Sequence, residues 1–191
     1  SSLVVRDIDI LARMAERDLV KVALSVTTLD RDVARKMEPR AARPDRRLEA
    51  LRQLSQAGIP TTVMVAPIIP GLNDHEIERI LVAARSVNVE GASYVLLRLP
   101  LELKELFREW LVSEFPNHAQ RVIKLLQSMH GGKDYVAEFG IRQRGTGPFA
   151  ELIARRFKSA IARLGLNQRQ LELRTDLFQS RFSTTQQLSL I

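Results

Sequence analysis

The run TTVMVAPIIPGLND at residues 61–74 constrains this 191-residue chain more than any other segment. Its apolar stretch from Val63 to Ile69 is rich in β-branched residues and alternates only in part, the pattern of a parallel strand buried on both faces. Pro67 and Pro70 remove backbone donors where pairing must stop, and Gly71 admits backbone geometry that other residues resist. The segment therefore predicts a buried strand that ends in a rigid loop and runs straight into a helix. Strand ends of this kind are where α/β barrels hold their chemistry. Asn73, followed by a carboxylate at Glu76, predicts a capping box at the start of that helix.

The neighbouring segments repeat the theme. Ile8, Leu11, Met14 or Ala15, and Leu19 share one face of a helix over residues 5–19. Val20, Val22, Leu24 and Val26 alternate with Lys21, Ala23, Ser25 and Thr27, which predicts a strand over Val20–Val26. A helix over Pro44–Ala57 follows, with Leu48, Leu51 and Leu54 on its apolar stripe and Gly58 as its stop. After the Thr61 strand, a helix from Asp74 buries Ile77, Ile80, Leu81 and Ala84, and a third strand runs over Ala92–Leu99 to Pro100. Strands that alternate with amphipathic helices indicate parallel βαβ units. Three strands fall short of a complete parallel domain, so the missing strands are expected upstream.

Beyond Pro100 the pattern turns helical. Leu103, Leu106, Phe107, Trp110 and Leu111 share a face, and a second helix spans about Pro116–Met129. Gly131 and Gly132 break the pattern, residues 135–139 read as a short extended piece, and RQRGTGP at 142–148 leads into a helix that reaches Leu164. The polar tail over 167–191 is expected to order only by docking. The chain thus divides into an α/β part, 1–110, and a mainly helical extension, 111–191.

Composition narrows the function. There is no cysteine, so the chain by itself holds no disulfide, thiolate zinc site or iron–sulfur cluster. Arg6, Asp7 and Asp9 interrupt the only early apolar segment, which leaves no signal-peptide pattern and a cytoplasmic location as the expectation. Residues 1–110 hold 17 basic and 16 acidic residues, whereas residues 111–191 hold 12 and 6. Nearly all of the +7 net charge lies in the extension, which points to an anionic partner such as nucleic acid.

Three groups of residues are chemically suggestive. Ser25 and Thr27 lie on one side of the first strand at its end, placed for a ribose or a carboxylate or, equally, as strand-end and turn residues. Arg98 closes the face that holds Tyr94 and Leu96, as an anion ligand or as half of an ion pair. Arg142, Arg144, Gly145 and Gly147 precede a helix, as an anion site or as a structural turn. His75, His118 and His130 show no metal-ligand spacing and read as helical or surface residues.

The motifs SVTTLD at 25–30, MEP at 37–39, RLEAL at 47–51, AGIP at 57–60, APIIPGLND at 66–74 and LRLP at 97–100, continuing into FGIR at 139–142 and Gly145 to Ala150, carry a resemblance. The chain resembles the radical S-adenosylmethionine proteins related to spore photoproduct lyase, and most closely the uncharacterised bacterial branch labelled DNA repair photolyase. The resemblance implies a partial (β/α)6 TIM-like barrel of parallel strands, a [4Fe–4S] cluster and S-adenosylmethionine at the strand C-termini. It also implies a 5′-deoxyadenosyl radical that abstracts a substrate hydrogen. Within that family Ser25 and Thr27 match positions that contact ribose and methionine. Ala66, Pro67, Ile68 and Gly71 match those that support adenine, Leu96 and Leu97 match those of the sixth strand, and Arg47 matches a carboxylate ligand. The three-cysteine cluster motif and the Gly-Gly-Glu motif belong to the first half of such a barrel, and neither occurs here. The resemblance therefore implies the C-terminal half of the barrel, inactive alone, with the missing N-terminal half as its partner. The parent's substrate is unspecified, with nucleic acid the candidate. The alternative is a cluster-free accessory module that binds nucleic acid through residues 111–191. A half barrel also exposes an edge, so aggregation or self-association is expected through the Val20–Val26 strand.

Overall fold

The computed structural model describes residues 2–169 and 171–177. Its sheet has three parallel strands in sequence order, β1 (Val22–Ser25), β2 (Thr61–Ile68) and β3 (Gly91–Leu96). A 3₁₀ stretch, Ser2–Asp7, leads into α1 (Ile8–Ala15), and α2 (Arg31–Met37) and α3 (Pro44–Gln56) separate β1 from β2. A 3₁₀ turn, Asp74–Glu76, and α4 (Ile77–Ser86) connect β2 to β3. Then come α5 (Leu103–Glu114), α6 (Pro116–Ser128) and α7 (Gly147–Leu164). The expected mixed α/β architecture with parallel strands is therefore present.

The strand alternation divides the sheet into two unlike faces. Val22, Leu24 and Val26, Val63 and Val65, and Ala92, Tyr94 and Leu96 are buried. α3 packs on β1 and β2, and α4 packs on β2 and on α7. Phe157 of α7 meets Tyr94 of β3 with ring centroids 4.8 Å apart, so a helix of the extension completes the cover. Arg156 fixes α7 in place through two hydrogen bonds to Glu78, 2.8 and 2.6 Å, and one to Asp74 O, 3.0 Å. The opposite face carries Ala23 and Ser25, both exposed, and Thr62, Met64, Ala66, Ser93 and Val95, all half-buried.

The expected strand Ala92–Leu99 runs only over Gly91–Leu96, three further expectations need correction, and α2 was not expected. β1 is shorter than Val20–Val26, because its ladder begins where Val22 donates to Pro60 O at 2.9 Å. α2 lies in a segment without an apolar stripe; its start is fixed by Asp30, whose Oδ1 accepts from Asp32 N and Val33 N. Residues 135–139 form no strand. The capping box is absent, since neither Asn73 nor Glu76 makes a side-chain cap; both are drawn instead into the strand ends described below. The expected tail lies partly outside the described residues. Its described part begins with Asn167, which pairs with β3 through Asn167 N to Glu90 O, Ala92 N to Asn167 Oδ1 and Asn167 Nδ2 to Ala92 O, at 2.7–3.0 Å.

Candidate functional site

At the C-terminal ends of β1 and β2 four polar side chains, Thr27, Thr28, Asn73 and Glu76, are each at most 4% exposed. A buried polar group is costly unless it is hydrogen-bonded, and all four are. Between Val65 and Ile68 of β2 the register against β3 slips by one residue, a bulge that holds the cis Ala66–Pro67 bond. There Ala66 O lies 3.1 Å from the Thr27 hydroxyl, whose other acceptor is Glu38 Oε2 at 3.0 Å. Asn73 Nδ2 donates to Thr27 O at 2.9 Å and to Pro67 O at 3.0 Å, while its Oδ1 accepts from Ile69 N at 2.7 Å. Glu76 accepts from the Thr28 hydroxyl and, at 2.9 Å, from Leu29 N. Asn73 and Glu76 thus clamp the β1 loop to the β2 loop. Asp74 Oδ1 accepts from Gly71 N at 2.6 Å. At Gly71, with φ +77°, a Cβ would come within 3.0 Å of Leu125 on α6, so glycine is needed for both the turn and the packing.

Arg47 extends the clamp toward α3. Its guanidinium donates to Ala42 O at 2.8 Å, Ser25 O at 2.9 Å and Glu38 Oε2 at 2.9 Å. Beside it a cleft of about 360 Å³ is lined by Thr27, Arg31, Arg35, Glu38, Arg43 and others. Its arginines are largely compensated, with Arg31 and Arg43 on Asp45, Arg35 on Asp32 and Arg47 on Glu38.

The structure distributes the sequence-predicted residues over different surroundings. Ser25 is exposed and Ala66 half-buried on the open sheet face, whereas Leu97, one residue past the end of β3, is half-buried against the core and held by Leu97 N to Ile68 O at 2.9 Å. Pro67 is half-buried within the bulge. Thr27 is turned inward instead, because the strand ends at Ser25 and the alternation ends with it. Ile68 and Leu96 are core residues, at most 1% exposed, and their main chain is engaged within the fold, Ile68 O by Leu97 N and Leu96 N by Gln143 O.

The loop before α7 uses its own donors. The N–H groups of Arg142, Arg144, Gly145 and Thr146 bond to Glu138 O, Ile141 O, Ile141 O and Met129 O. Gly145 sits where a Cβ would be 3.0 Å from Leu96 and 3.2 Å from Met129 O. The side chains stack instead of pairing. Arg144 lies 4.1 Å from the Tyr94 ring centroid and Arg142 lies 5.4 Å from that of Phe139. Among the described residues Arg98 forms no ion pair; it reaches the Tyr135 hydroxyl at 3.4 Å. His130, expected on a helix or the surface, is 1% exposed and bonds Leu126 O through Nδ1 at 2.9 Å. Among the described residues no cluster of His, Cys, Asp or Glu is arranged to hold a metal ion.

The sequence reading missed the clamp. Its one signal was Glu76, a second acid two residues after Asp74, which a simple cap does not require.

An α/β protein with parallel strands, a polar clamp at their C-terminal ends and an open sheet face is thereby defined. Residues 1–84, which hold β1, β2 and most of α4, match the Radical SAM superfamily, and this match supports a radical SAM relationship. The chain is 41% identical over 70 residues to an uncharacterized protein of Acidianus two-tailed virus, covering 37% of this chain and 23% of that one. It is 28% identical over 126 residues to an uncharacterized protein of Mycobacterium tuberculosis strain H37Rv, covering 65% and 37%. With an uncharacterized protein of Methanocaldococcus jannaschii it shares 30% identity over 76 residues, covering 40% and 28%. The chain therefore spans well under half the length of these relatives. No solved structure matches. Among the described residues no helix is long and apolar enough to cross a membrane.

Proposed function

We propose that the chain is the part of a radical SAM (β/α)6 barrel that carries its last three strands, of the spore photoproduct lyase-related type. The observation that carries this reading is the open sheet face shared by Ser25, Ala66, Ser93 and Val95, which lies within and just beyond the matched segment, with Leu97 at its rim. A flat adenosyl group fits such a surface, because the side chains there are small or half-withdrawn. Ser25 offers a hydroxyl, and Ala66, Pro67, Ile68, Leu96 and Leu97 line the strand ends. Gly71, Thr27 and Arg47 act on the site by fixing the loops. In that family S-adenosylmethionine and a [4Fe–4S] cluster together supply a 5′-deoxyadenosyl radical for hydrogen abstraction. The residues here do not fit the cluster, as there is no cysteine to ligate it, so its ligands belong to another part of the parent protein. The parent's substrate is an open question to which the basic extension suggests nucleic acid as an answer, and the fragment is inactive alone.

An NMR titration of the ¹⁵N-labelled chain with S-adenosylhomocysteine tests the cofactor reading. Shifts centred on Ser25, Ala66 and Leu97 are expected. No shifts at millimolar ligand, or shifts confined to residues 142–145, overturn it.

The same reading names a partner. Val22 and Val26 donate to β2, so Ala23 and Ser25 turn their amides to the outer edge, where the preceding strand of the parent's N-terminal half would pair. Without that half, the edge favours self-association. Sedimentation velocity that finds a monomer at high concentration counts against this partner assignment.

A second reading, a cluster-free module that binds nucleic acid, is favoured by the uncompensated charge of the extension.

A further inference from the structure

The arginines of this chain fall into two groups by what they face. Around the cleft beside Arg47 every guanidinium meets a carboxylate. Where α7 lies along α4 the balance differs. A groove of about 340 Å³ is lined by Glu78, Arg155, Arg156, Ser159, Ala160 and Arg163. Its one carboxylate, Glu78, is engaged by Arg156 through two short hydrogen bonds. Arg155 and Arg163 are exposed, and among the described residues no acidic side chain pairs with either. Arg163 acts on Glu78 only at longer range, and neither guanidinium has an ion-pair partner of its own among the described residues.

Their spacing is regular. Arg155, Ser159 and Arg163 are four residues apart, which places them on one helix face at steps of about 6 Å. Two guanidiniums flanking a hydroxyl suit phosphate oxygens, where arginine bonds in a bidentate fashion and serine adds a neutral contact. The groove contains no aromatic side chain. That disfavours single strands, which are held by base stacking, and protein partners, whose interfaces depend on aromatic anchors. Contact with the phosphate backbone of a duplex needs neither.

We propose that the α4–α7 groove, through Arg155, Ser159 and Arg163, binds the phosphate backbone of a nucleic-acid duplex without reading its sequence. The site lies on the helix side of the sheet, apart from the open face, and the inference stands whether or not the parent carries radical chemistry. Its test needs neither cofactor nor cluster.

The experiment is fluorescence anisotropy of a labelled 20-bp mixed-sequence DNA duplex with the full chain across a salt series. The variants are R155E/R163E, R155Q/R163Q and a charge-matched control, R17E/R46E, each checked for folding by circular dichroism. The expected result is at least tenfold weaker binding for R155E/R163E, with a smaller loss in R155Q/R163Q. The slope of log K against log salt should fall by about 2 in R155E/R163E, as two lost phosphate contacts require, while the control keeps most of its affinity. Absence of duplex binding by the parent chain at low salt overturns the proposal. So does an equal loss in R17E/R46E, which would assign binding to net charge alone, or stronger binding to single-stranded DNA or to polyglutamate than to the duplex.

Discussion

The two edges of the three-stranded sheet are finished in opposite ways. Along β3 the outward N–H groups of Ala92 and Leu96 are taken by Asn167 Oδ1 at 2.7 Å and by Gln143 O at 2.9 Å. Asn167 also returns its own donors to Ala92 O and Glu90 O, so one residue imitates a short strand. Along β1 the outward groups of Ala23 and Ser25 find no strand among the described residues; Ser25 O alone is taken, by Arg47. An edge closed by its own chain ends a sheet, whereas an open, unblunted edge invites another strand. The difference teaches that the molecule is completed on the side of its extension and left receptive on the side of β1.

Substitutions can break this comparison. The largest effect is expected at the clamp that orders the β1 end: Asn73→Ala orphans Thr27 O, Pro67 O and Ile69 N in the interior, at a cost of about 4 kcal/mol in chemical denaturation. A proline pair then separates the two edges. Ala92→Pro removes an engaged donor in a buried position and should cost about 3 kcal/mol, while Ala23→Pro, whose N–H faces outward, should cost less than about 1 kcal/mol. Equal costs would show that both edges are paired. Asn167→Ala reopens the closed edge from an exposed position where water substitutes in part, so a loss of about 1 kcal/mol is expected.

The smallest effect concerns how the closing helix is held. The Arg156 guanidinium, hydrogen-bonded to Glu78, holds that carboxyl below the usual carboxylate range. A depressed folded-state value means that the contribution is full above the unfolded value of 4.5 and is lost as pH falls through the folded one. Both groups are about one-third exposed, so solvent screening keeps the pair near about 1 kcal/mol. Thermal melts should show Arg156→Gln less stable than the parent at pH 7 and approaching it as the pH falls through the depressed folded-state value of Glu78. A gap that persists into acid would mean that Arg156 stabilises mainly through its bond to Asp74 O and its packing, which do not titrate with Glu78.

The strands and most of the helices were legible because periodicity is local: Val63 to Ile69 announces a buried strand, and Ile77, Ile80, Leu81 and Ala84 announce a stripe. α2 was not, because its seven residues are set by the Asp30 cap and have no apolar face. The clamp escaped because an asparagine before a helix looks the same whether it caps that helix or bridges two strand ends, and Thr27 is 46 residues from Asn73. Closure of β3 escaped for the same reason at greater range, as Ala92 and Asn167 are 75 residues apart. Ser25 was read correctly onto a strand, while Thr27 was placed on its face by an alternation that ends one residue too soon.

Amide hydrogen exchange at low protein concentration tests the contrast between the edges most directly. Ala92 and Leu96 should be protected at least about 100-fold more than Ala23 and Ser25, whose opening requires no broken bond. Comparable protection of Ala23 and Ser25 in a dilute monomer would contradict the account, because the β1 edge would then already be covered by its own chain.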